Sequence, residues 1–153
     1  MGNSFTLPSK STTTYKTINF EDVQTIIQMQ NKDTLLINTL EPSNQSSLIA
    51  GTLPIENETQ LMNDYLQKGN KEIRIVIYGM NTTDESVIRK YDQLNSLGFT
   101  NVFLYLGGLF EWLLLQDIYS AQMFPTTSRT PDLLKYKGRP QFNTRLLQYR
   151  SSS

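Results

Sequence analysis

Residues 72–86 read EIRIVIYGMNTTDES. Ile73, Ile75, Val76, Ile77 and Tyr78 crowd branched and aromatic side chains into one run, and Gly79 ends it at a polar turn. A near-continuous apolar run, rather than an alternating one, predicts a strand buried on both faces, as in a parallel sheet. Asp84 and Glu85 suit the positive end of a helix over 84–97, and Gly98 terminates it. A loop between such a strand and such a helix lies at the strand's carboxyl end, where open α/β sheets hold their chemistry. The side chains of 79–86 therefore decide what the fold can do.

The same unit recurs on either side. Asn19 with Asp22 predicts a capped helix start, and Phe20, Val23, Ile26 and Ile27 recur at helical spacing to about Gln30. TLLIN (34–38) reads as a second buried parallel strand, and LIAGTLPI (48–55) as a short strand or extended segment. Leu61, Met62, Tyr65 and Leu66 form one stripe of a helix over 56–67, with Gly69 just past its end. NVFLY (101–105) is a further strand, and Gly107-Gly108 turns the chain into a short helix from Leu109 to about Ile118. Tyr15–Ile18 suits an edge strand. Strand–helix alternation with short connections predicts a parallel sheet, right-handed crossovers and helices on both faces. Residues 1–14, rich in Ser and Thr, read as a disordered arm. After Tyr119 the pattern fades into a basic, partly apolar extension, 119–153.

The chain has 153 residues, enough for one domain with a proper core. It contains no cysteine and no histidine. That removes thiolate chemistry, disulfides and soft-metal sites, together with the usual neutral-pH base and the commonest metal ligand. Lys+Arg and Asp+Glu balance at 14 each, but not along the chain. Residues 1–20 carry Lys10 and Lys16 with no acid, and 129–153 carry six basic residues against Asp132. An acidic body thus has two basic ends. No stretch of about 18 apolar residues is present, so no membrane-spanning helix is expected. The opening Met-Gly-Asn-Ser-Phe-Thr fits the pattern for myristoylation of Gly2, with a flexible polar start as the plain alternative. One acyl chain holds a membrane only marginally, and the basic ends could supply the second signal.

Four stretches carry a family resemblance. LINTLEPSN (36–44), IAGTLPI (49–55), IVIYG (75–79) and LGFTNVFLYLGGLFEW (97–112) together resemble the rhodanese-like domain over about 15–118. The resemblance implies a three-layer α/β sandwich, with an about five-stranded, mostly parallel sheet and helices on both faces. It also implies that Gly79 stands where active members carry the sulfur-bearing Cys. Asn38 stands where an Asp is usual, and Leu40 where an Arg is common. In the family, successive backbone N–H groups of this loop and the next helix N-terminus cradle an anion. Here the loop Gly79, Met80, Asn81, Thr82, Thr83, Asp84, Glu85, Ser86 has no Lys or Arg. Its two carboxylates are expected to sit where the anion binds and to neutralise the pocket. Stretches 109–127 and 132–140 resemble an extension of single-domain members from protists and large DNA viruses.

The remaining candidates are weaker. Thr82, Thr83 and Ser86 are hydroxyl nucleophiles without a histidine; a Lys-activated Ser would need Lys71 or Lys90 turned inward, and N-cap or turn duty is the plainer reading. Gly107-Gly108 lacks the residues of a phosphate loop. The acids are too scattered for a metal site. The helix bearing Phe110, Trp112, Leu113, Leu114 and Leu115 is apolar nearly all round and must be covered on both sides, by the extension or by another protein. Partner contacts are expected at Trp112, Phe124, Lys135, Lys137, Arg139 and Arg145. The expectation is a catalytically inactive binding or scaffold module, tethered at a membrane if Gly2 is acylated. It needs no cofactor or small-molecule substrate, and it engages a protein partner or an anionic membrane surface rather than nucleic acid. The alternatives are a component of a larger assembly and a hydrolase of altered chemistry. The expected location is cytoplasmic, at a membrane through Gly2, or in a virion if a virus encodes the chain.

Overall fold

Asn19 explains where the first helix starts. Its side chain accepts the Asp22 N–H at 3.1 Å while the Asp22 carboxylate accepts the Asn19 N–H at 3.1 Å, a complete capping box. The helix α1 (Phe20–Met29) stops at Gln30, which takes a left-handed conformation at φ 46°. The structure is a computed structural model and describes residues 14–30 and 32–142. The arm expected over 1–14 lies outside these apart from Thr14, as do Gly2 and Arg145.

Among the described residues, three parallel strands follow in spatial order β1 (Thr34–Asn38), β2 (Arg74–Tyr78) and β3 (Val102–Tyr105). The register sets Ile37 beside Ile77 and Ile77 beside Leu104. Side chains alternate across the sheet, so each face gathers its own core. Leu36, Val76, Tyr78 and Tyr105 pack with α1 and with α4 (Gly108–Ile118) on one face. Leu35, Ile37, Ile75, Ile77, Val102 and Leu104 pack with α2 (Ile55–Gln67) and α3 (Ser86–Ser96) on the other. Strands buried on both faces need continuous apolar runs, and RIVIY and TLLIN supply them.

The sheet is narrower than the five strands expected. The two outer positions exist only as single bridges, Thr17 beside Leu104 and Thr52 beside Leu36. On one edge, Leu104 N donates to Lys16 O and Ile18 N to Leu104 O, after which Asn19 turns away to cap α1. On the other, Gly51 at φ 85° and Pro54, which lacks an N–H, interrupt the segment before a ladder can form. Helix α3 also starts two residues later than Asp84, because the Asp84 side chain is used for the loop described below.

The extension belongs to the same core. Phe124 is 1% exposed and stands at 5.0 Å, edge to face, against Trp112, which is wholly buried. Trp112 Nε1 donates to Pro125 O at 3.1 Å, Gln116 Nε2 to Phe124 O at 2.7 Å, and Ile49 bridges Thr126. A 3-10 turn, Leu133–Tyr136, then buries Tyr136 against the α4 face. Self-packing thus covers the inner side of the apolar α4, while Leu114 and Ile118 stay exposed. No helix among the described residues is long and apolar enough to cross a membrane. Because Phe124 fills core rather than surface, Phe124→Ala is expected to lower unfolding free energy by about 3–5 kcal/mol in urea titration. A loss under about 0.5 kcal/mol would mark the extension as a loosely attached arm.

Candidate functional site

Strand β2 delivers Gly79 to the carboxyl edge of the sheet, where it is buried. The space its missing side chain leaves is occupied. A Cβ built on Gly79 would run into Asp84 Oδ2, with Asp84 Cγ at 2.9 Å and Thr39 Oγ1 at 3.0 Å. The Asp84 carboxylate is held there by three donors. Oδ2 accepts Met80 N–H at 2.8 Å, and Oδ1 accepts Ser86 N–H at 3.0 Å and lies 2.6 Å from Ser86 Oγ. Hydrogen bonds to a charged acceptor contribute about 1.5–3 kcal/mol each. Asp84 therefore satisfies a loop N–H and the first turn of α3 from within, doing what a bound anion does at a helix N-terminus.

On its other side the loop rests on α4. Leu109 N and Phe110 N, two of the free N–H groups at the start of that helix, donate to Gly79 O at 2.9 Å and Met80 O at 2.8 Å. Gly108 sits at φ 69°, and a Cβ there would stand 2.8 Å from Gly79 O and 2.9 Å from Asn81 N. Only glycine meets both the backbone conformation and the close approach. Beside it, Glu111 folds over Gly107 and accepts the Tyr105 hydroxyl at 2.8 Å. Burial, then the Glu111 charge and hydrogen bond, push the Tyr105 hydroxyl far above its ordinary value. Tyr78 is raised chiefly by burial, offset in part by its bonds with Thr52 and Ile49.

The extension lies over the loop. Asn81 Nδ2 donates to Tyr136 O at 2.9 Å, and a Cβ on Gly138 would be 3.4 Å from Thr83 Oγ1. Asn81 Oδ1 meanwhile accepts Thr83 N–H at 3.0 Å and lies 2.7 Å from Thr83 Oγ1. Among the described residues, two buried polar atoms are left without partners, Tyr136 Oη and Asn38 Nδ2. Such an atom costs about 1–3 kcal/mol unless something satisfies it.

The expected site residues divide accordingly. Of the two carboxylates expected in the anion position, only Asp84 is there; Glu85 is exposed and caps nothing with its side chain. Thr82 and Thr83 are exposed. Ser86 Oγ touches Asp84 and Thr39 Oγ1, the latter at 2.7 Å, and no lysine: Lys90 pairs with Glu58, and Lys71 lies against Gly98. Trp112 and Phe124, expected to meet a partner, are instead covered by the chain's own α4 and extension. Lys135, Lys137 and Arg139 are exposed. Thr39 and Tyr136 escaped the sequence reading. Thr39 sits one residue past a recognised strand, but only the fold brings it to Gly79, and Tyr136 lies in a stretch without periodicity.

No family model matches the sequence, and no curated protein matches it. Solved structures do resemble the fold. Yeast Ygr203w, a protein tyrosine phosphatase of the rhodanese family, superposes with a TM-score of 0.58 at 14% identity, over 80% of this chain and 99% of that one. The Saccharomyces cerevisiae single-domain sulfurtransferase RDL2 gives 0.53 at 16% identity, over 72% and 98%. The rhodanese-like domain of Alr3790 from Anabaena gives 0.52 at 22% identity, over 86% and 92%. This chain has the rhodanese-like α/β fold.

Two outcomes follow from the geometry. Gly79→Ala and Asp84→Ala are each expected to cost about 1–3 kcal/mol in urea unfolding. Combined, they lose at least about 1 kcal/mol less than their sum, because Asp84→Ala vacates the space the new methyl needs. Strict additivity would place the carboxylate elsewhere. For the tyrosines, a raised pKa in the folded state means that their contribution is complete below about pH 10, the unfolded value, and falls as pH rises above it. Absorbance titration should leave Tyr78 and Tyr105 protonated until an alkaline unfolding transition, which Tyr105→Phe shifts to higher pH.

Proposed function

We propose that the chain is a non-catalytic rhodanese-like module that works by binding. The observation carrying this reading is the Asp84 carboxylate standing in the space of a side chain at position 79. A strand end with no sulfur has nothing to carry a covalent intermediate, and a carboxylate in the cradle repels thiosulfate or phosphate by like charge. Tyr136 and Gly138 above Asn81 and Thr83 narrow access further. The phosphatase activity of Ygr203w and the sulfurtransferase activity of RDL2 belong to those proteins.

The partner-facing surface is the outer side of the extension. Lys135, Lys137 and Arg139 present three cations around exposed Leu134, and Phe142 is 95% exposed. A basic strip interleaved with apolar side chains suits an acidic protein surface or, with an acyl group on Gly2, an anionic membrane. Purified protein is expected to show neither thiosulfate:cyanide sulfur transfer nor phosphatase turnover above a heat-killed control. Turnover in either assay that disappears with Asp84→Asn or Ser86→Ala would replace this reading with a hydrolase or transferase of altered chemistry.

A further inference from the structure

We propose that the cleft along α1 is the docking site of a saturated acyl chain carried on Gly2. The cleft has a volume of about 240 Å³ and an apolar lining of Ile18, Ile26, Met29, Val76 and Phe103, with Thr25 on its rim. That is below the size of pockets enclosing drug-sized molecules and suits a narrow, unbranched chain. The inference rests on the acylation of Gly2 in the membrane reading above, and not on the absence of catalysis.

Helix α1 leaves this space because little of it is sunk into the core. Only Val23 is fully buried; Ile26 and Ile27 are half-buried and Met29 is 64% exposed. A second cleft, of about 400 Å³, opens on the β1 side of the helix and shares Ile26 and Thr34 with the first. Apolar side chains left half-covered on both flanks of a helix favour a further apolar group.

The path of the chain selects that group. Lys16–Ile18 runs parallel beside β3, with Leu104 N donating to Lys16 O and Ile18 N to Leu104 O, so the chain enters from the edge where the strands begin. Lys16 Nζ donates to Thr100 O at 3.2 Å and stands 5.5 Å over the Phe103 ring, which lines the cleft. The cleft reaches the same edge at Thr34 and Arg74, the first residues of β1 and β2. About 12 residues separate Gly2 from Thr14; at up to about 3.5 Å each they can span roughly 40 Å, several times the roughly 10 Å from Asp22 to Met29 along α1. A tether of that length holds an attached group at an effective concentration of about millimolar, ahead of any free amphiphile at lower concentration. Gly2 is the acceptor in the myristoylation pattern Met-Gly-Asn-Ser-Phe-Thr. One such chain binds a bilayer with an association constant of only about 10⁴ M⁻¹, so a chain lodged against α1 is withheld from lipid, and attachment becomes a competition between cleft and membrane.

The test compares the full chain, acylated at Gly2 by an N-myristoyltransferase and checked by intact mass, with unacylated Gly2→Ala. In methyl nuclear magnetic resonance spectra, acylation is expected to shift Ile18, Ile26, Met29 and Val76 and to leave Ile73 and Val87, on the other face of the sheet, in place. Thr25→Trp fills the cleft from an exposed position, and Met29→Glu, also exposed, sets a charge in its wall. Each variant, measured against its own Gly2→Ala form, should lose the acylation-dependent shifts. Each acylated variant should also bind phosphatidylcholine vesicles at least about fivefold more tightly than the acylated parent chain. Cleft methyls that match those of Gly2→Ala, or shifts and vesicle binding unchanged in both variants, overturn the proposal and leave the non-catalytic reading standing. A chain that the transferase leaves unmodified overturns it together with the acyl-anchored membrane reading.

Discussion

A missing side chain at Gly79 is the constraint on which the site depends. Strand β2 reaches the sheet edge without a Cβ, and the Asp84 carboxylate takes the space and the Met80 and Ser86 N–H groups around it. Leaving those donors bare at a partly buried loop would be costly, and a mobile anion would be the alternative partner. An internal carboxylate closes the loop permanently, so the loop becomes part of the structure. The charge it brings is balanced by helix α3, whose first turn it meets.

That closure propagates. With its N–H groups turned to Asp84, the loop offers the carbonyls of Gly79 and Met80 to the start of α4, and Gly108 lets the two backbones touch. Helix α4 carries Trp112 into the core, and Trp112 fixes Phe124 and the extension behind it. The extension then returns across the loop through Tyr136 and Asn81. Loop, helix and extension form one closed circuit, which is why residues 119–142 do not read as an appendage.

Much of this was legible in the sequence, for physical reasons. Apolar runs at 35–37 and 75–78, short and rich in branched side chains, favour strands covered on both faces, and Asn19 with Asp22 marks a helix start. The loop was located because the apolar run stops at a glycine, and its lack of cation or thiol was plain from composition. The division of labour between Asp84 and Glu85 was not legible, since adjacent acids look alike until the backbone aims one inward and the other to solvent. The outer strands shrink to single bridges because apolar content at 15–18 and 48–55 says nothing about how soon the chain turns away. That the cover of Trp112 is the chain's own Phe124, 12 residues on, rather than another protein is not legible, because the extension lacks periodicity.

The most direct measurement of the central claim exploits the absence of native cysteine. A single thiol placed by Gly79→Cys can be followed with a chromogenic disulfide reagent, beside Ile118→Cys as a fully reactive control. The account predicts at least a hundredfold slower reaction at position 79, restored toward the control when Asp84→Ala is added. A thiol at 79 that reacts as fast as the one at 118 with Asp84 in place would contradict it.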